Sequence, residues 1–132
     1  LQVSNVQAED TGDYYCEVMS SESHAVQVHA IEVQYSPIIY MEPTGKVLEM
    51  PIGALFELAC ESKGVPQPAL TWRHNGKTLD KYQVGNRQNL LVEVRDRSMS
   101  GTYECMANNG VGNPAVAQIN LNVLCKYLTL LK

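Results

Sequence analysis

The sequence holds 132 residues, with 10 Lys and Arg against 14 Asp and Glu, for a formal net charge of −4. That mildly acidic balance does not suit a nucleic-acid or anionic-membrane binder. At 45% apolar and 18% charged residues the chain is expected to fold and stay soluble, unlike a disordered polyampholyte or a membrane span. Length alone suggests one domain, yet four cysteines and dense turns point to one domain plus a piece of another. Residue 1 is Leu and no signal-peptide pattern follows it. Either the chain is cytosolic, or its targeting information lies outside this sequence.

Short period-two runs separated by Gly, Pro, Asn and Ser predict an all-β chain. In the run 25–33, Val26, Val28 and Ala30 share one face, and a bulge is expected where the phase slips to Ile31 and Val33. Alternation stops at Tyr35-Ser36-Pro37, which places a domain boundary near residue 35. Seven further strands are predicted at 38–41, 46–50, 55–61, 69–74, 89–94, 102–107 and 115–123, a spacing that suggests a sandwich. Asn75-Gly76 and Asn109-Gly110 are read as tight turns needing positive φ. In the last strand Ala115, Ala117, Ile119, Leu121 and Val123 fall on one face.

One constellation organises these strands. Cys60 precedes Trp72 by twelve residues, and Gly101, Tyr103 and Cys105 follow at two-residue steps. Gly64-Val65-Pro66-Gln67-Pro68 leads into Trp72, and Ala107-Asn108-Asn109-Gly110-Val111-Gly112 follows Cys105. An earlier stretch, Asp10-Thr11-Gly12-Asp13-Tyr14-Tyr15-Cys16, repeats the Asp, Gly, Tyr and Cys of the same signature. The set resembles immunoglobulin-superfamily cell-adhesion proteins, in particular insect lachesin and amalgam and the vertebrate IgLON proteins. The short stretch from Trp72 to Asn89 resembles the intermediate (I-set) form, being too short for the extra strands of a variable domain.

The resemblance implies an I-set β-sandwich over 35–124, preceded at 1–34 by the last three strands of a second immunoglobulin domain. It selects one disulfide from three possible pairings: Cys60 with Cys105, packed against the Trp72 indole. Tyr103 is expected to turn its hydroxyl onto the preceding corner, with Tyr14 as its counterpart in the first segment. Cys16 is left unpaired and is expected to find its partner in a longer protein. Cys125 is also unpaired, within a tail at 125–132 that no longer resembles the family. The second segment departs from the first in having Met99 where Asp10 stands, and Arg95 where Val6 stands. Its corner is therefore expected to rest on Tyr103 and backbone bonds alone, with Asp96 a solvated turn residue.

No catalytic motif appears: there is no His-Glu-x-x-His, no Cys-x-x-Cys, no phosphate-cradling loop with Lys and no Gly-x-Ser-x-Gly elbow. His24 and His29, five apart in one strand, point to opposite faces in regular geometry, so no metal or other cofactor is expected. The expected function is non-catalytic protein recognition. Alternation directs Thr71, Arg73, Glu104, Met106, Val116, Gln118 and Asn120 outward as a candidate partner face, while Glu57, Glu61, Glu93 and Arg95 mark the other sheet as solvated surface. In the first segment Val3, Tyr14, Val18 and Val28 are expected inward, and Glu17, Met19, Gln27 and His29 outward.

The resemblance implies an extracellular or cell-surface protein of neural type that binds other immunoglobulin-superfamily proteins, homophilically or heterophilically. A secreted immune-recognition protein of hemolin type and an intracellular muscle I-set module are the alternatives. A disulfide favours the oxidising exterior, and no Asn-x-Ser/Thr sequon would shield either sheet with an N-linked glycan.

Overall fold

The computed structural model describes residues 2–84 and 86–124, with the backbone alone described over 80–84. Cys125 and the tail at 125–132 therefore lie outside the described residues. The chain divides into two compact units between Tyr35 and Ser36.

In the first unit a 3-10 turn, Ala8–Asp10, leads into β1 (Gly12–Met19), which pairs antiparallel with β2 (His24–Ile31). The expected bulge is absent. The register runs unbroken from Gly12 opposite Ile31 to Met19 opposite His24. Ser20 closes the hairpin, its N–H donating to the Ser23 carbonyl at 2.9 Å.

Among the described residues the second unit is a two-layer sandwich of eight strands. One sheet has the order β3 (Tyr35–Glu42), β5 (Leu55–Val65), β8 (Arg87–Glu93); the other runs β4 (Val47–Pro51), β10 (Ala115–Leu124), β9 (Gly101–Asn108), β6 (Ala69–His74), β7 (Lys77–Val84). Seven strands were expected, and β7 is the addition. It is hydrogen-bonded to β6 through the hairpin at Asn75-Gly76, whose φ values of 49° and 79° are those of the tight turn. Its run Lys77-Thr78-Leu79-Asp80-Lys81 has too many polar residues to read as a strand by itself. Asn109-Gly110 does not form the second tight hairpin. The connection from β9 to β10 spans six residues, and positive φ falls on Gly110 and Gly112.

Alternation builds the core. Leu58, Leu90 and Val92 enter from the first sheet, and Leu70, Tyr103, Ile119 and Leu121 from the second. The Cys60–Cys105 disulfide joins the layers with a Cα separation of 6.5 Å, and Trp72 lies fully buried in the same cluster. Trp72 is opposite Cys105 in the β6–β9 register, so the indole and the bridge occupy one level of the core.

The bridge closes a loop with a sequence separation of 45. Loop-closure entropy makes its removal cost about 4 kcal/mol. A Cys60→Ala, Cys105→Ala chain is expected to lose about that much in urea unfolding followed by Trp72 fluorescence. A loss under about 1 kcal/mol would mean that packing around Trp72 holds the layers together without the bridge.

Candidate functional site

The residues expected to form a partner face come together on the outer side of β6, β9 and β10. Antiparallel register aligns them in rows. Thr71 lies opposite Met106, and Met106 opposite Val116; Arg73 lies opposite Glu104, and Glu104 opposite Gln118. Asn120 lies opposite Thr102, a residue the sequence reading omitted although the step from Met106 through Glu104 leads to it.

The polar rows are internally paired. Arg73 approaches Glu104 at 3.6 Å, Gln118 Nε2 donates to the other Glu104 oxygen at 2.6 Å, and the Thr102 hydroxyl donates to Asn120 Oδ1 at 2.7 Å. These contacts set the face's one cation against its one anion, while Arg73 Nε is buried with no hydrogen-bond partner among the described residues. At this exposure the ion pair contributes under about 1 kcal/mol. The Thr71, Met106 and Val116 row stays apolar, with Val116 48% exposed. β7 extends this sheet beside β6, and the register sets Thr78 opposite Arg73.

The corner before β9 fixes the start of this face. The Tyr103 hydroxyl donates to the Met99 carbonyl at 2.9 Å, and its ring stacks on His74 with centroids 4.3 Å apart. Burial raises the Tyr103 hydroxyl above its ordinary pKa. The corner does not rest on Tyr103 and backbone bonds alone. Asp96 caps the 3-10 turn Arg97–Met99, accepting from the Ser98 N–H at 2.8 Å and from the Ser98 hydroxyl. The first unit stabilises the equivalent turn from its other end, where Asp10 accepts from the Gln7 N–H at 2.7 Å and the Tyr14 hydroxyl donates to the Asp10 carbonyl at 2.7 Å. Met99 thus replaces one carboxylate while Asp96 supplies another.

Asn75 adds a cross-link from the hairpin. Its side chain accepts from the Thr102 N–H at 2.9 Å and donates to the Ser100 carbonyl at 3.2 Å. Gly101 passes beneath it with φ +121°, and a Cβ there would stand 2.1 Å from Asn75 Oδ1.

The outer side of the β3–β5–β8 sheet is less plainly solvated than expected. Glu57, Glu93 and Arg95 are exposed and Glu61 is partly so, but Leu55 and Leu91 among them are 63% and 60% exposed. In the first unit the unbroken register corrects the expected faces. Gln27 and His29 lie opposite Cys16 and Tyr14, while Val28 lies opposite Tyr15 on the face shared by Glu17 and Met19. All of β2 is exposed, so burial does not select one face over the other. Cys16 is an exposed free thiol. Among the described residues no helix is long and apolar enough to cross a membrane, and no three His, Cys, Asp or Glu side chains gather as metal ligands.

The immunoglobulin-domain family model matches residues 36–109. The chain belongs to the immunoglobulin-domain family. It is 32% identical to Neuronal growth regulator 1 of Gallus gallus over 124 residues, which cover 93% of this chain and 34% of that protein. It is also 32% identical to Lachesin of Drosophila melanogaster over 129 residues, covering 93% and 35%. The chain thus spans about a third of the length of these curated relatives. Among solved structures it matches a chain of Dpr11 IG1 bound to DIP-gamma IG+IG2 with 29% identity and a TM-score of 0.69, over 92% of this chain and 63% of that one. The expected likeness to lachesin and the IgLON proteins is borne out, as is the all-β immunoglobulin-like fold.

Two predictions follow from the corner. Gly101→Ala is expected to cost on the order of 2 kcal/mol, and Asn75→Ala about 1 kcal/mol. In the Asn75→Ala background Gly101→Ala costs less, because the side chain it strikes is gone; fully additive losses in urea unfolding would refute the contact. The Ser98 hydroxyl, followed by the Ser98 N–H, holds the Asp96 carboxyl below its ordinary 3.8. A depressed folded pKa gives stability that is present above the unfolded value and is lost as pH falls through the folded one. Asp96→Asn should therefore flatten the loss of stability between about pH 5 and pH 2, and identical pH slopes would contradict the cap.

Proposed function

We propose that this chain is a non-catalytic recognition module of a cell-surface adhesion protein, which binds another immunoglobulin domain through the outer face of β6, β9 and β10. The observation that carries this reading is the composition of that face. Its one cation and one anion are paired to each other, and an apolar row of Met106 and Val116 lies beside them. A partner therefore gains apolar burial without having to neutralise a net charge. In the Dpr11 and DIP-gamma structure one immunoglobulin domain is bound to others, which supports a partner of the same class.

The domain reading accompanies this proposal. Residues 35–124 form the recognition domain. Residues 1–34 are the closing strands of a preceding immunoglobulin domain whose other strands cover the hairpin in the longer protein and bridge Cys16. Extracellular residence follows from the same reading, since the Cys60–Cys105 bridge persists in an oxidising compartment. Neural adhesion is the setting proposed from the named relatives.

The test is capture. Beads coated with the chain are mixed with cells displaying candidate immunoglobulin-superfamily ectodomains, or with beads carrying the same chain. Met106→Glu and Val116→Arg are expected to reduce capture at least about tenfold while leaving the melting temperature within about 2 °C. Unchanged capture with both variants would remove this face as the binding surface.

A further inference from the structure

We propose that β8 is a self-pairing edge, which takes the β8 strand of a second copy of this chain in antiparallel register about Leu90. This goes beyond the adhesion reading and uses the opposite sheet. Among the described residues β8 has a hydrogen-bonded strand on one side only, β5, so the strand ends its sheet. A terminal strand presents backbone donors and acceptors that another strand can match. A cavity of about 400 Å3, lined by Leu90 and Val92 of β8, Leu79 of β7, Met99 and Tyr103, provides room beside it.

The sequence of β8 chooses the occupant. Facing residues of an antiparallel pair project to the same side of the sheet, so a two-fold register must be centred on a single residue. Centring on Leu90 sets Arg87 opposite Glu93 of the second copy, and the symmetry repeats that pair. Asn89 then faces Leu91, covering a side chain that is otherwise 60% exposed. Centring on Leu91 would set Arg87 opposite Arg95, like against like. Centring on Asn89 would set Arg87 opposite Leu91 and bring it no carboxylate from the second copy. The Leu90 register alone among these three is charge-complementary.

Neighbouring charges favour the same register. Glu42 and Glu61 stand 3.5 Å and 3.7 Å from Arg87, leaving that end of β8 with a surplus carboxylate. Arg95 stands 3.0 Å from Glu93 at the other end. Antiparallel pairing brings the acidic end of one copy to the end of the other that carries this second cation. Such an isologous contact closes as a dimer and does not propagate.

Sedimentation velocity of the full chain, kept reduced at Cys16, tests the proposal with two charge variants. The parent is expected to dimerise weakly, with a Kd on the order of 100 μM. Arg87→Glu sets Glu against Glu and Glu93→Arg sets Arg against Arg, so each alone should weaken dimerisation about tenfold or more. Mixed in equal amounts they restore opposite charges at both positions, and the heterodimer should recover to within about threefold of the parent. Near-ultraviolet circular dichroism confirms that each variant is folded. A parent that stays monomeric at about 1 mM, a variant that dimerises like the parent, or a mixture no better than its components overturns the proposal. Met106→Glu leaves this dimer intact, so failure of the adhesion face and failure of the β8 edge give different results.

Discussion

Cys105 is bonded to Cys60 across the core, and it lies in register with Trp72 on one side and Ala117 on the other. That single bond decides which way β9 faces. With Cys105 inward, Tyr103 and Ala107 are also inward, and Thr102, Glu104 and Met106 face outward. The candidate recognition surface is therefore the reverse side of a strand whose inward residues Tyr103, Cys105 and Ala107 are buried. A one-residue slip of β9 would bury Glu104 and expose Cys105, which the disulfide forbids.

The corner before β9 reinforces that orientation from outside the core. Tyr103 fastens to the Met99 carbonyl, Asp96 caps the intervening 3-10 turn, and Asn75 reaches from the β6–β7 hairpin to both sides of Gly101. The strand thus enters the sheet at a position set by three side chains from two different segments. The first unit contains the same corner and the same tyrosine, without an opposing layer among its described residues. The contrast separates what local hydrogen bonding can hold, a corner and a hairpin, from what requires burial, a choice of face.

The sequence made the second unit legible wherever burial forces a pattern. Cys60, Trp72 and Cys105 stand at positions where one level of the core must be filled, and Ala115 to Val123 alternates because one side of β10 is covered. The outward rows were legible from the same alternation, including Thr102, which the step of two would have supplied. β7 was not, since its half-polar run becomes a strand by pairing with β6 and not by its own pattern. Asp96 was read as a solvated turn residue, but its capping role was not legible, because a carboxylate at one end of a turn does the work of Asp10 at the other and residue-by-residue matching sees only the loss at Met99. The faces of β2 were misjudged for a physical reason as well. Val26, Val28 and Ala30 form an apolar row, yet with every residue of β2 exposed nothing selects that row for burial, and the unbroken hairpin register sets Gln27 and His29 beside Cys16 and Tyr14.

In the proposed function β9 divides its residues between stability and recognition. The most direct test is a substitution scan from Thr102 to Ala107, with urea stability and capture of an immunoglobulin-domain partner measured on every variant. Changes at Tyr103, Cys105 and Ala107 should lower stability, whereas changes at Thr102, Glu104 and Met106 should lower capture and leave stability nearly unchanged. Capture that follows stability at every position, with no alternation between the two readouts, would contradict it.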